Sequence, residues 1–279
     1  MKKTKILDNT LKVLIWMFSF FTIGILAWIL IYIISKGITQ INWDFISTVY
    51  KPGKDLHGVF PMIISTLYLV SLTIVISTPI GICAAIYLVE YSKPGKVLNI
   101  IRFATETLAG IPSIIYGLFG YIFFVVILHF RFSLLSGALT LSIMVLPTII
   151  RTTEEALKAV PVSYKEGSLA LGATKLTTIV KVILPCAISG ILTAVILSIG
   201  RIVGETAAVY LTFGYAPNIP SNLMKSGRTL SVHLYQLAKE GLSFEQAFAT
   251  AAVLVVVVAF INFLAGRIAH NIRKATMGS

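Results

Sequence analysis

The sequence predicts an all-α fold, a polytopic bundle of six membrane-spanning helices. Three observations lead there. The 279 residues are 57% hydrophobic and only 12% charged, with mean hydropathy +0.90, whereas soluble domains carry about 25% charged residues. Apolar runs of about 20 residues, long enough to cross a bilayer, recur along the chain. Lysine and arginine gather in alternate loops, as expected of a chain that repeatedly returns to one side of a membrane. A net charge of +12 would point a soluble protein toward nucleic acid. Here the basic loops set orientation and meet anionic lipid. Six spans with short loops use up the length and leave no room for a soluble catalytic domain. Cys83 and Cys186 lie in or beside apolar runs, with neither metal-ligand spacing nor a disulfide framework.

The elements follow in order. Lys2, Lys3 and Lys5 make a basic start, and the apolar run 13–34 behind them is too long for a signal-peptide core and lacks a small-x-small cleavage site. It reads as a retained signal anchor and first span, roughly 13–35. Loop 36–58 offers Trp43 and Tyr50 to the membrane interface. Span two runs roughly 59–90, with Pro79 and Gly81 inside it. Loop 91–102 is short and basic. Span three covers about 103–128 and contains Gly110, Pro112 and Ser113. A tight turn at 129–131 leads to span four, 132–151, with Pro147 near its end. A charged stretch, 155–185, separates it from span five, 186–213. A longer loop, 214–245, precedes span six, 247–267. The implied division is 1–58, a core of 59–269, and a tail, 270–279. With the N-terminus inside, cytoplasmic segments hold fifteen lysines and arginines against seven outside, and Arg201 falls within span five. The count gives an N-in, C-in topology with 155–185 in the cytoplasm. Proline and glycine inside spans two to four have two readings, kinks beside a pathway or close small-residue packing.

Stretch 155–185 is the one long polar-to-amphipathic passage. Pro161 suits a helix start. Ser163 and Glu166 have capping-box spacing. The helix should run through Leu171 and stop at Gly172, where a left-handed C′ residue is cheapest as glycine. Thr174 can cap a second helix, 175–183, ahead of Leu184 and Pro185. The predicted object is a rigid, bent knob, suited to passing movement from a soluble partner to the flanking spans.

The spacing Glu166-Gly167-Ser168, three residues to Gly172, then nine to Val182-Ile183-Leu184-Pro185 resembles the coupling ("EAA") loop of ABC importer permeases. The departures, Gly167, Ser168 and Val182, are small or conservative. In that family the loop docks into a groove of the ATPase subunit, so the resemblance implies an ATPase contact through Glu166, Gly167, Ser168, Leu171, Gly172, Ala173 and Thr174. Residues 155–161, 109–117, 200–207, 228–235 and 247–251 are similar to segments of the phosphate transport system permeases. This likeness covers about 59–269 and implies a type I ABC importer permease fold in a bacterial or archaeal cytoplasmic membrane. The implied partners are a second permease (PstC-like), two ATPase subunits (PstB-like) and a phosphate-binding protein (PstS-like). ATP and Mg2+ belong to the partner ATPase, and no cofactor is expected on this chain.

Arg201 and Glu205 stand four apart in an apolar run, and a charge at mid-bilayer costs about 2.5–3.5 kcal/mol on insertion scales. One reading has Arg201 lining an oxyanion path, tempered by Glu205, with Thr206, Pro112 and Ser113 nearby. The other has a structural pair locking helices or subunits together. Glu90 and Glu106 read as interfacial, near Lys93, Lys96 and Arg102. The four histidines are scattered, so no metal site or proton relay is expected. No P-loop, nucleophile motif or paired catalytic carboxylates occur, which argues against an enzyme. An importer of another oxyanion, such as molybdate, sulfate or phosphonate, shares every feature above. An ion-coupled secondary transporter would carry inverted repeats, and none is evident.

Overall fold

The computed structural model describes residues 2–51 and 56–277, apart from the side chains of 2–8, 56, 273 and 275–277. Lys54 of the orientation count and residues 278–279 of the tail lie outside it. Helices α1 (Lys2–Gly37) and α2 (Trp43–Ser47) open the chain. Asn42 caps α2, its side-chain oxygen accepting from the Phe45 amide at 2.7 Å. A small antiparallel hairpin follows, β1 (Tyr50–Lys51) against β2 (Leu56–His57), with Tyr50 opposite His57. Then come α3 (Phe60–Ile86), α4 (Lys96–Ala109), α5 (Ser113–Gly120), α6 (Leu134–Lys158), α7 (Val162–Ala170) and α8 (Lys175–Thr178). Helices α9 (Leu184–Gly204), α10 (Ala207–Thr212), α11 (Leu230–Lys239) and α12 (Phe244–Met277) complete the chain. Wide π-turns extend α3 over Tyr87–Tyr91, extend α5 over Tyr121–Ile127, and join α8 to α9 over Ile179–Ile183.

Five helical runs are long and apolar enough to cross a membrane, and α4 with α5 makes a sixth if the bent pair counts as one span. That pair corrects the expected continuous span three. The chain turns 101° between α4 and α5. Pro112 disfavours helix in the residue before it, and its own amide cannot donate. The Tyr116 hydroxyl donates to the Leu108 carbonyl at 2.7 Å, fastening the two arms across the bend. Helix α4 also begins within the expected loop 91–102.

Span five is broken as well. Helix α9 stops at Gly204, Glu205 takes an extended backbone (ψ 129°), and α10 starts afresh at Ala207. The limits of 155–185 shift too. Glu155 and Lys158 belong to the end of α6, and 175–183 is no separate helix, because Lys175–Gly204 is one continuous run. Pro185 removes an amide donor and crowds the preceding turn; the π-turn just ahead of it widens the backbone and lets the run continue.

Helix α6 is central, packed on α3 and α9. Leu69, Leu141, Met144, Val145, Ile149, Ile202, Val203 and Phe213 form the main core. Small residues permit the close approach that membrane helices favour: a Cβ on Gly190 would lie 2.3 Å from the Ala156 Cβ. A second core, with Ala85, Leu157, Ile179 and Ile183, binds α3, α6 and the start of α9 at the predicted cytoplasmic end. A third, with Phe45, Tyr50, Met62, Leu230 and Ala249, joins the N-terminal segment to α11 and α12 at the opposite end. Helix α1 rests chiefly on α12, with Tyr32 edge-on to Phe248 at 5.7 Å. No residue in the apolar window of α1 is buried.

Candidate coupling surface and translocation site

The bent knob forms, by a different route at its start. The helix begins at Val162, with Pro161 at the cap and no side-chain hydrogen bond there. Ser163 is therefore inside the first turn, and the Ser163–Glu166 capping box is not made. Pro161 sets the start two residues too early for it. The far end matches expectation. Gly172 has φ +83°. The Ala173 amide donates to the Ser168 carbonyl at 3.2 Å and the Gly172 amide to Leu169 at 3.0 Å, the pair of bonds that defines a Schellman ending. Thr174 then caps α8, its hydroxyl accepting from the Thr177 amide at 3.2 Å. Ser168 and Thr178 hydroxyls meet at 2.9 Å across the bend and hold its two arms together.

The outer surface of the knob is apolar and open. Leu171 is 91% exposed at the apex, with Val162, Tyr164, Leu169 and Leu176 also exposed around it. Glu166 and Gly167 share that exposure, and Ala173 is half-buried. The apex leucine is thus bare on a backbone held by the Schellman bonds and the Ser168–Thr178 contact, and exposed apolar patches of this kind mark interaction sites.

Ion pairs fasten the knob's base. Glu154, buried, meets Arg102 of α4 at 2.6 Å and Lys158 at 3.0 Å. Glu106 faces Arg151 at 3.7 Å. Glu90 is not paired with its sequence neighbours Lys93, Lys96 or Arg102 but with Lys165 of α7.

The two broken spans meet. Helix α5 packs on α10, so closely that a Cβ on Gly117 would lie 2.8 Å from the Ala208 Cα. Tyr116, one turn into α5 from Ser113, lies within electrostatic reach of Arg201. Pro112, Ser113, Arg201, Glu205 and Thr206 thus belong to one region built around two helix breaks. Arg201 occupies the last turn of α9, where the unpaired carbonyls favour a cation. The expected Arg201–Glu205 pair is absent among the described residues. Instead one Glu205 carboxylate oxygen accepts from the Ala208 amide at 3.1 Å and caps α10. An i,i+4 pair requires an unbroken helix, and the helix ends between the two residues.

Residues 228–235 brace this region from the opposite end. The Ser231 hydroxyl donates to the Glu205 carbonyl at 2.8 Å, and the Leu230 amide to the Thr66 hydroxyl of α3 at 3.1 Å. Arg228, 8% exposed, donates through Nε to the Tyr215 carbonyl at 2.9 Å and through Nη1 to His233 Nδ1 at 3.0 Å. Arginine can only donate, so His233 carries its proton on Nε2. Burial, aided by the Arg228 charge, pulls the His233 pKa down to about 3.

Residues 77–276 match the binding-protein-dependent transport system inner membrane component family. The chain belongs to this family. It is 33% identical over 258 residues to a probable ABC transporter permease protein, YqgI, of Bacillus subtilis (strain 168), covering 87% of this chain and 88% of that one. It is 34% identical over 250 residues to the phosphate transport system permease protein PstA 1 of Mycobacterium tuberculosis (strain ATCC 25618 / H37Rv), covering 87% and 81%. It is 34% identical over 226 residues to PstA of Xylella fastidiosa (strain 9a5c), covering 81% and 79%. Among solved structures, a bacterial ABC transporter importing alginate superposes with TM-score 0.66 at 17% identity, over 92% of this chain and 96% of that one. The MetNI methionine ABC transporter, in an inward-facing form, gives 0.61 at 24%, over 77% and 94%. The fold is that of type I ABC importer permeases, and the protein is a multi-pass membrane permease of an ABC importer.

Three features of this permease escape a sequence reading. Glu90 takes its partner 75 residues downstream. The His233–Arg228 contact buries a histidine that looks isolated in the sequence. The breaks that bring Ser113 and Arg201 into one region look like ordinary kinks. Only Gly110, Pro112 and Gly204 hinted at the breaks.

Proposed function

We propose that this permease carries inorganic phosphate inward across the cytoplasmic membrane, driven by ATP hydrolysis on a separate subunit. The observation that carries this reading is the likeness to PstA proteins over about four-fifths of both chains, joined to Arg201 in the last turn of α9, which has no ion pair among the described residues. A guanidinium meets an oxyanion through two parallel N–H bonds, which an ammonium cannot reproduce. Glu205 does not neutralise Arg201, yet its charge nearby limits how tightly an anion is held, and a pathway must release its cargo. Pro112, Ser113 and Thr206 complete the path. Glu166, Gly167, Ser168, Leu171, Gly172, Ala173 and Thr174 form the surface that docks on a PstB-like ATPase. A PstC-like second permease completes the membrane unit, with two ATPase copies and a PstS-like phosphate-binding protein. ATP and Mg2+ act on the ATPase, and this chain has no catalytic role.

The test is phosphate uptake by Arg201→Lys and Glu205→Gln in the assembled complex. Arg201→Lys is expected to lose at least about tenfold in uptake, the scale of one charge-assisted bond, with assembly intact. Glu205→Gln keeps the cap on α10 and is expected to assemble normally. Loss of assembly in Arg201→Lys would instead make Arg201 a structural residue.

A further inference from the structure

The knob is tied to a span that is not its neighbour in the chain. Spans four and five necessarily move with it, because α6 ends just before α7 and the run from Lys175 continues into α9. Span two, α3 and its π-turn, has no such continuity. Its inner end carries Glu90, whose side chain is only 6% exposed. The Glu90 carboxylate pairs with Lys165 on the first arm of the knob. The Glu90 backbone carbonyl accepts from the Lys175 ammonium on the second arm. That same ammonium lies over the Tyr91 ring, 4.4 Å from its centroid. Two lysines, one on each side of the bend at Gly172, therefore converge on two adjacent residues.

A buried carboxylate must be paired, since an uncompensated charge there is strongly unfavourable. The clasp therefore has one satisfied arrangement. The apolar contacts beside it, Ala85 and Ile86 against Ile179 and Ile183, are non-directional and tolerate sliding. The ionic contacts fix the position of the bend against span two. Their attachment point is a π-turn, a locally widened piece of helix frequent at functional sites.

We propose that Glu90 is a positioning residue that, through Lys165 and Lys175, transmits movement of the ATPase-docked knob to span two. This rests on the coupling role assigned to the knob above. The test uses the complete complex in proteoliposomes, with ATP hydrolysis and phosphate uptake measured in parallel. Glu90→Gln and Lys165→Gln are each expected to lower uptake per ATP at least about fivefold, with assembly and basal hydrolysis retained. The double variant is expected to be no worse than either single one, because both remove the same contact. Lys165→Arg is expected to keep the coupling. Unchanged uptake per ATP, additive losses, or failed assembly in the glutamine variants would each overturn the proposal. A wild-type complex that takes up no phosphate defeats the phosphate reading instead. The clasp is then judged by hydrolysis stimulated by the binding protein, which Glu90→Gln is expected to abolish and an ineffective clasp would leave intact.

Discussion

Gly172 allows the shape of the knob to be tested apart from its surface. Its φ of +83° is left-handed, a conformation that costs an L-residue about 1–2 kcal/mol. A Cβ there would meet nothing within 4 Å, so inside this chain the cost of Gly172→Ala is backbone strain alone. If the Schellman-ended bend is the form that docks, its population relative to straighter forms falls about 5- to 30-fold, and the affinity for the ATPase subunit falls by up to the same factor. Asparagine tolerates the left-handed region better than alanine, while β-branched valine tolerates it least. The expected order of affinity is Gly172, then Asn, then Ala, then Val. The assay is titration of the ATPase subunit onto the permease in nanodiscs. A steric clash with the ATPase would place the larger asparagine below alanine. That order, or an alanine variant equal to wild type, would refute the reasoning.

Other consequences are independent of this one. Leu171→Asp is expected to change permease stability by no more than about 0.5 kcal/mol, as an exposed site should, while weakening ATPase capture in the same titration. Gly120→Ala would set a Cβ 2.1 Å from the buried Thr140 Oγ1; a loss of about 1–3 kcal/mol is expected in thermal melts, partly recovered by adding Thr140→Ala. Glu205→Ala removes the carboxylate that accepts from the Ala208 amide and is expected to cost about 1 kcal/mol in the same melts, whereas Glu205→Gln is not. His233, with its pKa pulled down to about 3, stays neutral in the folded protein while the unfolded chain gains a proton below pH 6.5. Its contribution is therefore complete above about pH 6.5 and drains as pH falls toward 3, by about 2 kcal/mol at pH 5. His233→Gln is expected to flatten the fall in melting temperature between pH 7 and pH 5, and an unchanged slope would contradict this.

What the sequence made legible was what local chemistry decides. Spans one, two and six are long apolar runs and stand where hydropathy puts them. Gly172 and Thr174 end one helix and cap the next because those roles depend on the residue's own backbone or hydroxyl. The capping box failed because Pro161, two residues earlier, sets the helix start and leaves Ser163 inside the turn. The breaks in spans three and five were hidden for a different reason. Pro112 and Gly204 permit a break, but its angle is held by tertiary contacts such as Tyr116 to Leu108 and Ser231 to Glu205. Once span five breaks, the i,i+4 logic that joined Arg201 to Glu205 has no helix to act along. Glu90 shows the same limit: its neighbours in sequence are Lys93 and Lys96, yet its partners lie 75 and 85 residues away. The π-turns have no sequence signature comparable to a capping residue, although the one before Pro185 has a clear cause.

The most direct test of the account is phosphate uptake into proteoliposomes holding this permease with its second permease and ATPase, with the binding protein outside and ATP inside. The account predicts uptake that requires both ATP and the binding protein, and that excess molybdate or sulfate does not suppress. Uptake driven by an ion gradient without the ATPase, or ATP-driven uptake of another oxyanion with none of phosphate, would contradict it.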